Sequence, residues 1–204
     1  MRKPVWMLFC AAALSLIGAT SPAAADYDDD NDVDDTRIYG GLWLGFGGDA
    51  EFDQDNVDAD LGGTLGGQFG VDFVTSRYFS LGGEARIGAA KLQDTGDRSK
   101  LIDLDFKPRL RLPLYRLPIE LYAALPVGIT IPRLADIASD NSDNYDGKVG
   151  WNIGVGVGAN WFITESFGLN VEPAWLMHRF KVEGANNDYT LKQFALFLNA
   201  VIAL

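Results

Sequence analysis

His178, in "WLMHRFKV", is the single histidine of the 204-residue chain and the first residue to test for acid–base chemistry. No Ser-His-Asp ordering or metal-ligand spacing surrounds it. Alone near the outer end of an apolar stretch, it reads as a surface residue. "GFGGDAE" (45–51) holds a G-x-G-G pattern, but no helical pattern follows, so it fails as a phosphate loop. Asp28, Asp30 and Asp32 have the alternate spacing of a calcium loop. Val33 stands where the turn glycine belongs and no closing Glu follows. Cys10 is the only thiol. No catalytic residue, cofactor or metal site is expected.

The spacing that carries chemistry is ionic. In "LDFKPRLRLPL" (104–114) the residues Leu104, Phe106, Pro108, Leu110, Leu112 and Leu114 alternate with Asp105, Lys107, Arg109 and Arg111. A period of two marks an extended strand with two unlike faces. Glu84, Arg86, Glu120 and Glu172 occupy similar polar faces elsewhere. In a soluble sandwich such charges point to water. In a membrane barrel the order reverses, and charges enclosed in a narrow tube must pair, because an unpaired buried charge is costly.

Eight alternating segments supply the strands: 38–48, 61–74, 79–89, 101–114, 119–131, 149–162, 167–179 and 190–204. "TSRY", "YRLP" and "TES" are short links after the second, fourth and sixth. Longer polar loops follow the first, third, fifth and seventh. That rhythm predicts an all-β, eight-stranded antiparallel up-and-down transmembrane barrel. Its apolar rows carry almost no charge. The opposite rows mix glycine, amides and charges, as a narrow lumen requires. Aromatics gather near segment ends, with Tyr39, Tyr78, Trp161 and Phe167 at the short-link side and Trp151, Trp175 and Tyr189 at the other. Pro108, Pro126 and Pro173 each remove a ladder donor, so bulges or breaks are expected there.

Counting residues from the turns puts Glu84, Arg109 and Glu172 in one layer. Arg86 and Lys107 fall just above, and Arg111 meets Glu120 lower down. The outer loops carry carboxylates: Asp49, Glu51, Asp53, Asp55, Asp58 and Asp60 in the first, Asp136, Asp140, Asp143 and Asp146 in the third.

The ends and the charge set the class. Arg2 and Lys3, an apolar run and "SPAAA" before Asp26 read as a signal peptide over 1–25, which would remove Cys10. Residues 26–37 form an acidic, disordered periplasmic tail, and 38–204 form the barrel. A formal net charge of −11 argues against nucleic acid as a partner. The 23 glycines argue against a mostly helical protein.

The leader, the eight amphipathic segments and the short-turn/long-loop rhythm over 38–204 resemble the small OmpA/OmpX-type outer-membrane β-barrels of Gram-negative bacteria. The ending "FLNAVIAL" departs from them, with Leu204 where such proteins commonly carry an aromatic ring. The resemblance implies the outer membrane as location, the barrel-insertion machinery as a partner in biogenesis, and a lumen plugged by a charge network. Some barrels of this fold modify lipid A. The deacylase type has a serine two residues from its histidine, and here that position is Phe180. The expected function is structural, in envelope integrity or surface interaction, with the loop carboxylates sharing divalent cations with lipopolysaccharide. Three alternatives stay open at this point: a narrow channel for ions or small solutes, a lipid A-modifying enzyme, and a soluble periplasmic ligand-binding barrel.

Overall fold

The computed structural model describes residues 35–52, 57–92, 98–114, 117–133, 147–182 and 188–204. They form nine strands: β1 (Asp35–Phe52), β2 (Val57–Ser76), β3 (Phe79–Leu92), β4 (Arg98–Leu114), β5 (Ile119–Ala124), β6 (Val127–Arg133), β7 (Gly147–Phe162), β8 (Phe167–Val182) and β9 (Asp188–Ala203). Every pairing is antiparallel, β3 joins β4, and β1 joins β9, so the sheet is a closed ring. β5 and β6 are two halves of one stave, because both pair with β4 and with β7. The wall therefore has eight staves.

The faces follow the alternation. Leu65 and Leu110 are 64% and 66% exposed, whereas Trp43, Lys107 and Glu172 are fully buried. The apolar rows point outward, as they must when the surrounding solvent is hydrocarbon. The ionic rows line the interior.

Of the three prolines, Pro126 alone interrupts a strand, between β5 and β6. Even there the register persists: the Leu125 N–H donates to the Pro108 carbonyl at 3.1 Å, and the Gly154 N–H donates to the Pro126 carbonyl at 2.9 Å. Pro108 and Pro173 stay in register opposite Leu81 and Leu196. The irregularities lie elsewhere, notably at Phe46/Gly48 between β1 and β9. Gly47 and Gly48 have φ of 58° and 146° there, conformations that side chains rarely adopt. The "GFGG" glycines serve this bulge.

Two boundaries are corrected. β1 begins at Asp35 rather than Ile38, which takes Arg37 out of the acidic tail and into the wall. The first outer loop is shorter than expected, since β1 runs to Phe52 and β2 starts at Val57. Asp49 and Glu51 thus lie on β1 and Asp58 and Asp60 on β2, where the ladder continues with Ala50 opposite Ala59 and Phe52 opposite Val57 between the acidic positions.

The wall is staggered. Cross-strand partners starting at Tyr39 run through Gly70, Glu84, Asp105, Gly128, Asn152, His178 and Leu191, and return to β1 at Ala50. Strand tilt in a closed barrel produces this climb. It invalidates depth counted from the turns: Phe79 at the start of β3 faces Leu110, while β4 continues to Leu114.

Val155 sits mid-way along β7 on the lipid face. Val155→Arg should destabilise the barrel by about 2–4 kcal/mol in urea unfolding from lipid vesicles, and Tyr78→Arg, in the β2–β3 turn, by about 0–1 kcal/mol.

Candidate functional site: the charged lumen

The interior is built in tiers. At the short-turn end Arg37 Nη1 lies 2.8 Å from Glu120 Oε1, and Arg111 also pairs with Glu120. Asn160 donates to the same carboxylate at 2.9 Å. Arg109 Nη1 sits 3.0 Å from Asp72 Oδ2, and Ser80 donates to that oxygen. The Arg109 guanidinium lies over the rings of Tyr39 and Tyr122, at 4.5 and 5.0 Å from their centroids.

Lys107 forms the hub of the next tier. Its Nζ is 2.8 Å from Glu84 Oε2 and 2.9 Å from Glu172 Oε1. Tyr39 donates to Glu84 at 3.0 Å and Tyr122 to Glu172 at 2.5 Å. Both tyrosines reach inward across glycine partners, Gly70 and Gly158, where a Cβ would overlap the ring. A file of amides links the tiers: Gln68 donates to Asn199, Asn199 to Asn170, Asn170 to Asn160, and Asn160 to Glu120.

Above the hub, Arg86 pairs with Asp105 and lies 3.3 Å from Asp103 and 3.6 Å from Glu84. Asp103 also accepts from Thr130 at 2.6 Å and lies 3.0 Å from His178 Nε2. Toward the loop end the lumen turns apolar, with Trp43, Leu101, Leu176, Phe180, Leu191 and Phe197 in one buried cluster.

The structure thus gathers Glu84, Arg86, Lys107 and Glu172 into one cluster, and Arg111 and Glu120 into another. Arg109 departs from the expected layer and faces Asp72, because of the stagger between β3 and β4. Tyr39 belongs to the lumen, not to an interfacial girdle. His178 is fully buried, against the expectation of a surface residue. It shares its parity with Glu172, and that signal placed it inward. Arg37, Asp72, Asp103 and Asp105 join the lumen pairs from outside the expected layers, and the last three share parity with their charged neighbours.

Chemically, these tiers are built of buried opposite charges in contact. The Thr130 hydroxyl donates to Asp103 and not to the imidazole. Among the described residues, no group of three or more His, Cys, Asp or Glu side chains is arranged to hold a metal ion. At the outer rim Glu51 meets Lys192 at 2.5 Å. In register, Asp49 faces Asp60 and Glu51 faces Asp58. Asp53, Asp55, Asp136, Asp140, Asp143 and Asp146 lie outside the described residues.

Comparison with known proteins gives the same architecture. The structure is similar to the outer membrane protein OprG from Pseudomonas aeruginosa, with 10% identity, coverage of 84% of this chain and 96% of that one, and a TM-score of 0.63. It is similar to the outer membrane protein AlkL, with 16% identity, coverage of 91% and 97%, and a TM-score of 0.53. Neisserial surface protein A matches with 9% identity, coverage of 82% and 96%, and a TM-score of 0.52. At these identities the likeness concerns the fold. No curated protein matches the sequence. The family model described as the outer membrane protein beta-barrel domain matches residues 10–200. With the closed ring and its outward apolar rows, that match shows the chain to be a Gram-negative outer-membrane protein belonging to the outer membrane protein β-barrel family.

Proposed function

We propose that this barrel is a structural component of the outer membrane, with a plugged lumen and no enzymatic chemistry. The observation that carries this reading is the run of buried ion pairs, joined by amide and tyrosine hydrogen bonds, from Arg37 and Glu120 through Lys107 to Arg86 and Asp103. An interior of eight staves is just filled by side chains, so an ion path would have to break several buried pairs at once. The buried imidazole, held on Asp103 and stacked at 6.5 Å on Trp43, supports a packing role for His178. Contact with the envelope falls to the rim. The rim carboxylates, Asp49 and Glu51 among them, share divalent cations with lipopolysaccharide phosphates. The barrel-insertion machinery is the partner in assembly.

In planar bilayers the wild-type barrel should show no steady conductance. Steady openings that vanish on Glu84→Gln or Arg109→Gln would establish a channel instead.

Lys107→Met leaves Glu84 and Glu172 without their shared cation. It should cost about 3–5 kcal/mol in urea unfolding from vesicles. A cost within about 0.5 kcal/mol, as at ordinary surface sites, would mean that the lumen is wet and the plug unimportant.

Calcium should raise the thermal transition of the purified barrel, and Asp49→Asn/Glu51→Gln should reduce that rise. A wild type indifferent to calcium removes the cation-sharing rim.

A further inference from the structure

The lumen tier above Lys107 holds more acid than base. Glu84, Asp103, Asp105 and Glu172 are buried there around two permanent cations, Arg86 and Lys107. Lys107 is shared by Glu84 and Glu172. The single Arg86 guanidinium faces three carboxylates: it pairs with Asp105 and lies 3.3 Å from Asp103 and 3.6 Å from Glu84. In a low-dielectric interior an uncompensated carboxylate is costly, and the usual relief is to take up a proton.

His178 stands where that proton would settle. Its Nε2 lies 3.0 Å from Asp103 Oδ2, and both side chains are fully buried. Thr130 on β6 donates to the other Asp103 oxygen at 2.6 Å. Trp43 on β1 stacks on the imidazole at 6.5 Å, and Asn152 on β7 and Leu191 on β9 are the cross-strand partners of His178. These four neighbours are uncharged. Among the described residues, the charged groups around the ring are Asp103 and Asp105 from β4 and Arg86 and Glu84 from β3, three acids to one base. Nδ1 has no hydrogen-bond partner among those residues. The field of the carboxylates, rather than a second hydrogen bond, holds a proton on the ring.

We propose that the His178–Asp103 pair holds one added proton from water at neutral pH, so that the loop-end tier of the plug loosens in alkali. With that proton the pair is electrically neutral, and Glu84, Asp105 and Glu172 face Arg86 and Lys107. Alkali removes the proton and leaves Asp103 competing with Asp105 and Glu84 for Arg86. The proposal rests on the dry-lumen reading, which Lys107→Met tests separately.

The sign of the pH dependence follows from proton binding. An unfolded chain releases its imidazole proton above about pH 6.5. The folded barrel then holds one proton more than the unfolded chain, and stability falls as pH rises further. An imidazole buried without the proton acts oppositely: the unfolded chain takes up the extra proton below about pH 6.5, and stability rises with pH toward that value. His178 is the single histidine, so no second imidazole contributes.

Urea unfolding of the full barrel from lipid vesicles at about pH 6.5 and about pH 8.5 tests the proposal. The wild-type unfolding constant should rise about tenfold or more between them. Asp103→Asn removes the carboxylate that the proton serves, and its constant should change less than about twofold. Heat-modifiable gel mobility reports whether the variant folds; if it does not, Asp105→Asn lowers the same acid excess and should flatten the profile instead. Nitrogen NMR of wild type with labelled histidine needs no variant. Its single imidazole should show both ring nitrogens protonated at neutral pH. A wild-type profile that is flat or rises with pH overturns the proposal. So does a ring with one bare nitrogen at neutral pH, even with a falling profile, because the proton would then sit on a carboxylate such as Asp105. An undiminished slope in a folded Asp103→Asn or Asp105→Asn barrel overturns it too. If Lys107→Met is costly and the profile is flat, this proposal fails and the dry lumen stands.

Discussion

Hydrocarbon offers no hydrogen-bond partner to a peptide group, and each unpaired N–H or C=O there costs several kcal/mol. The whole structure depends on that constraint. It obliges the sheet to close, which β1 and β9 accomplish by pairing from Arg37/Ala203 to Phe52/Tyr189. It also explains why the Leu125–Pro126 interruption keeps its register and its flanking bonds to Pro108 and Gly154. A break in the ladder is tolerated where neighbouring backbone still accepts and donates. Closure with eight tilted staves then dictates a narrow interior, and the narrow interior dictates what fills it.

The filling solves a packing problem and an electrostatic problem together. Inward glycines at positions 70 and 158 make room for the Tyr39 and Tyr122 rings, which deliver hydroxyl groups to Glu84 and Glu172. Each of these carboxylates then has Lys107 as well as a phenol. Arg109 is held between the same two rings while it faces Asp72. Low dielectric strengthens every such pair and penalises every orphan, so the tiers are interdependent. The apolar cluster of Leu101, Leu176, Phe180 and Leu191 fills the loop end of the lumen with side chains that need no partner.

The inside-out pattern was legible along the strands. Alternation in "LGGTLGGQFGVDF" and "LDFKPRLRLPL" separates the two faces residue by residue, and short and long links give the up-and-down order. Strand ends were less legible. Beyond the Phe46/Gly48 irregularity, Asp49, Glu51, Asp58 and Asp60 alternate with Ala50, Phe52, Val57 and Ala59, so the ladder continues through residues whose acidity reads as loop. The pairing of charges was not legible from counting, because the stagger displaces each stave relative to its neighbour. Arg109 consequently meets Asp72 from β2 rather than a partner in the layer of Glu84 and Glu172. His178 and Asp103 share the parity of the lumen rows, but they are 75 residues apart, so nothing local in the sequence shows that they meet. The apolar cap was hidden for the opposite reason: Leu101 and Leu176 break the rule that inward residues are polar.

The central claim is that the lumen is a dry, mutually paired ionic interior. A double-mutant cycle on Asp72→Asn and Arg109→Gln, read by urea unfolding in lipid vesicles, tests it most directly. The account predicts a coupling energy above about 1 kcal/mol, the range of contacting residues in a shared network. Coupling within about 0.5 kcal/mol of zero, as for independent or solvated charges, would contradict it.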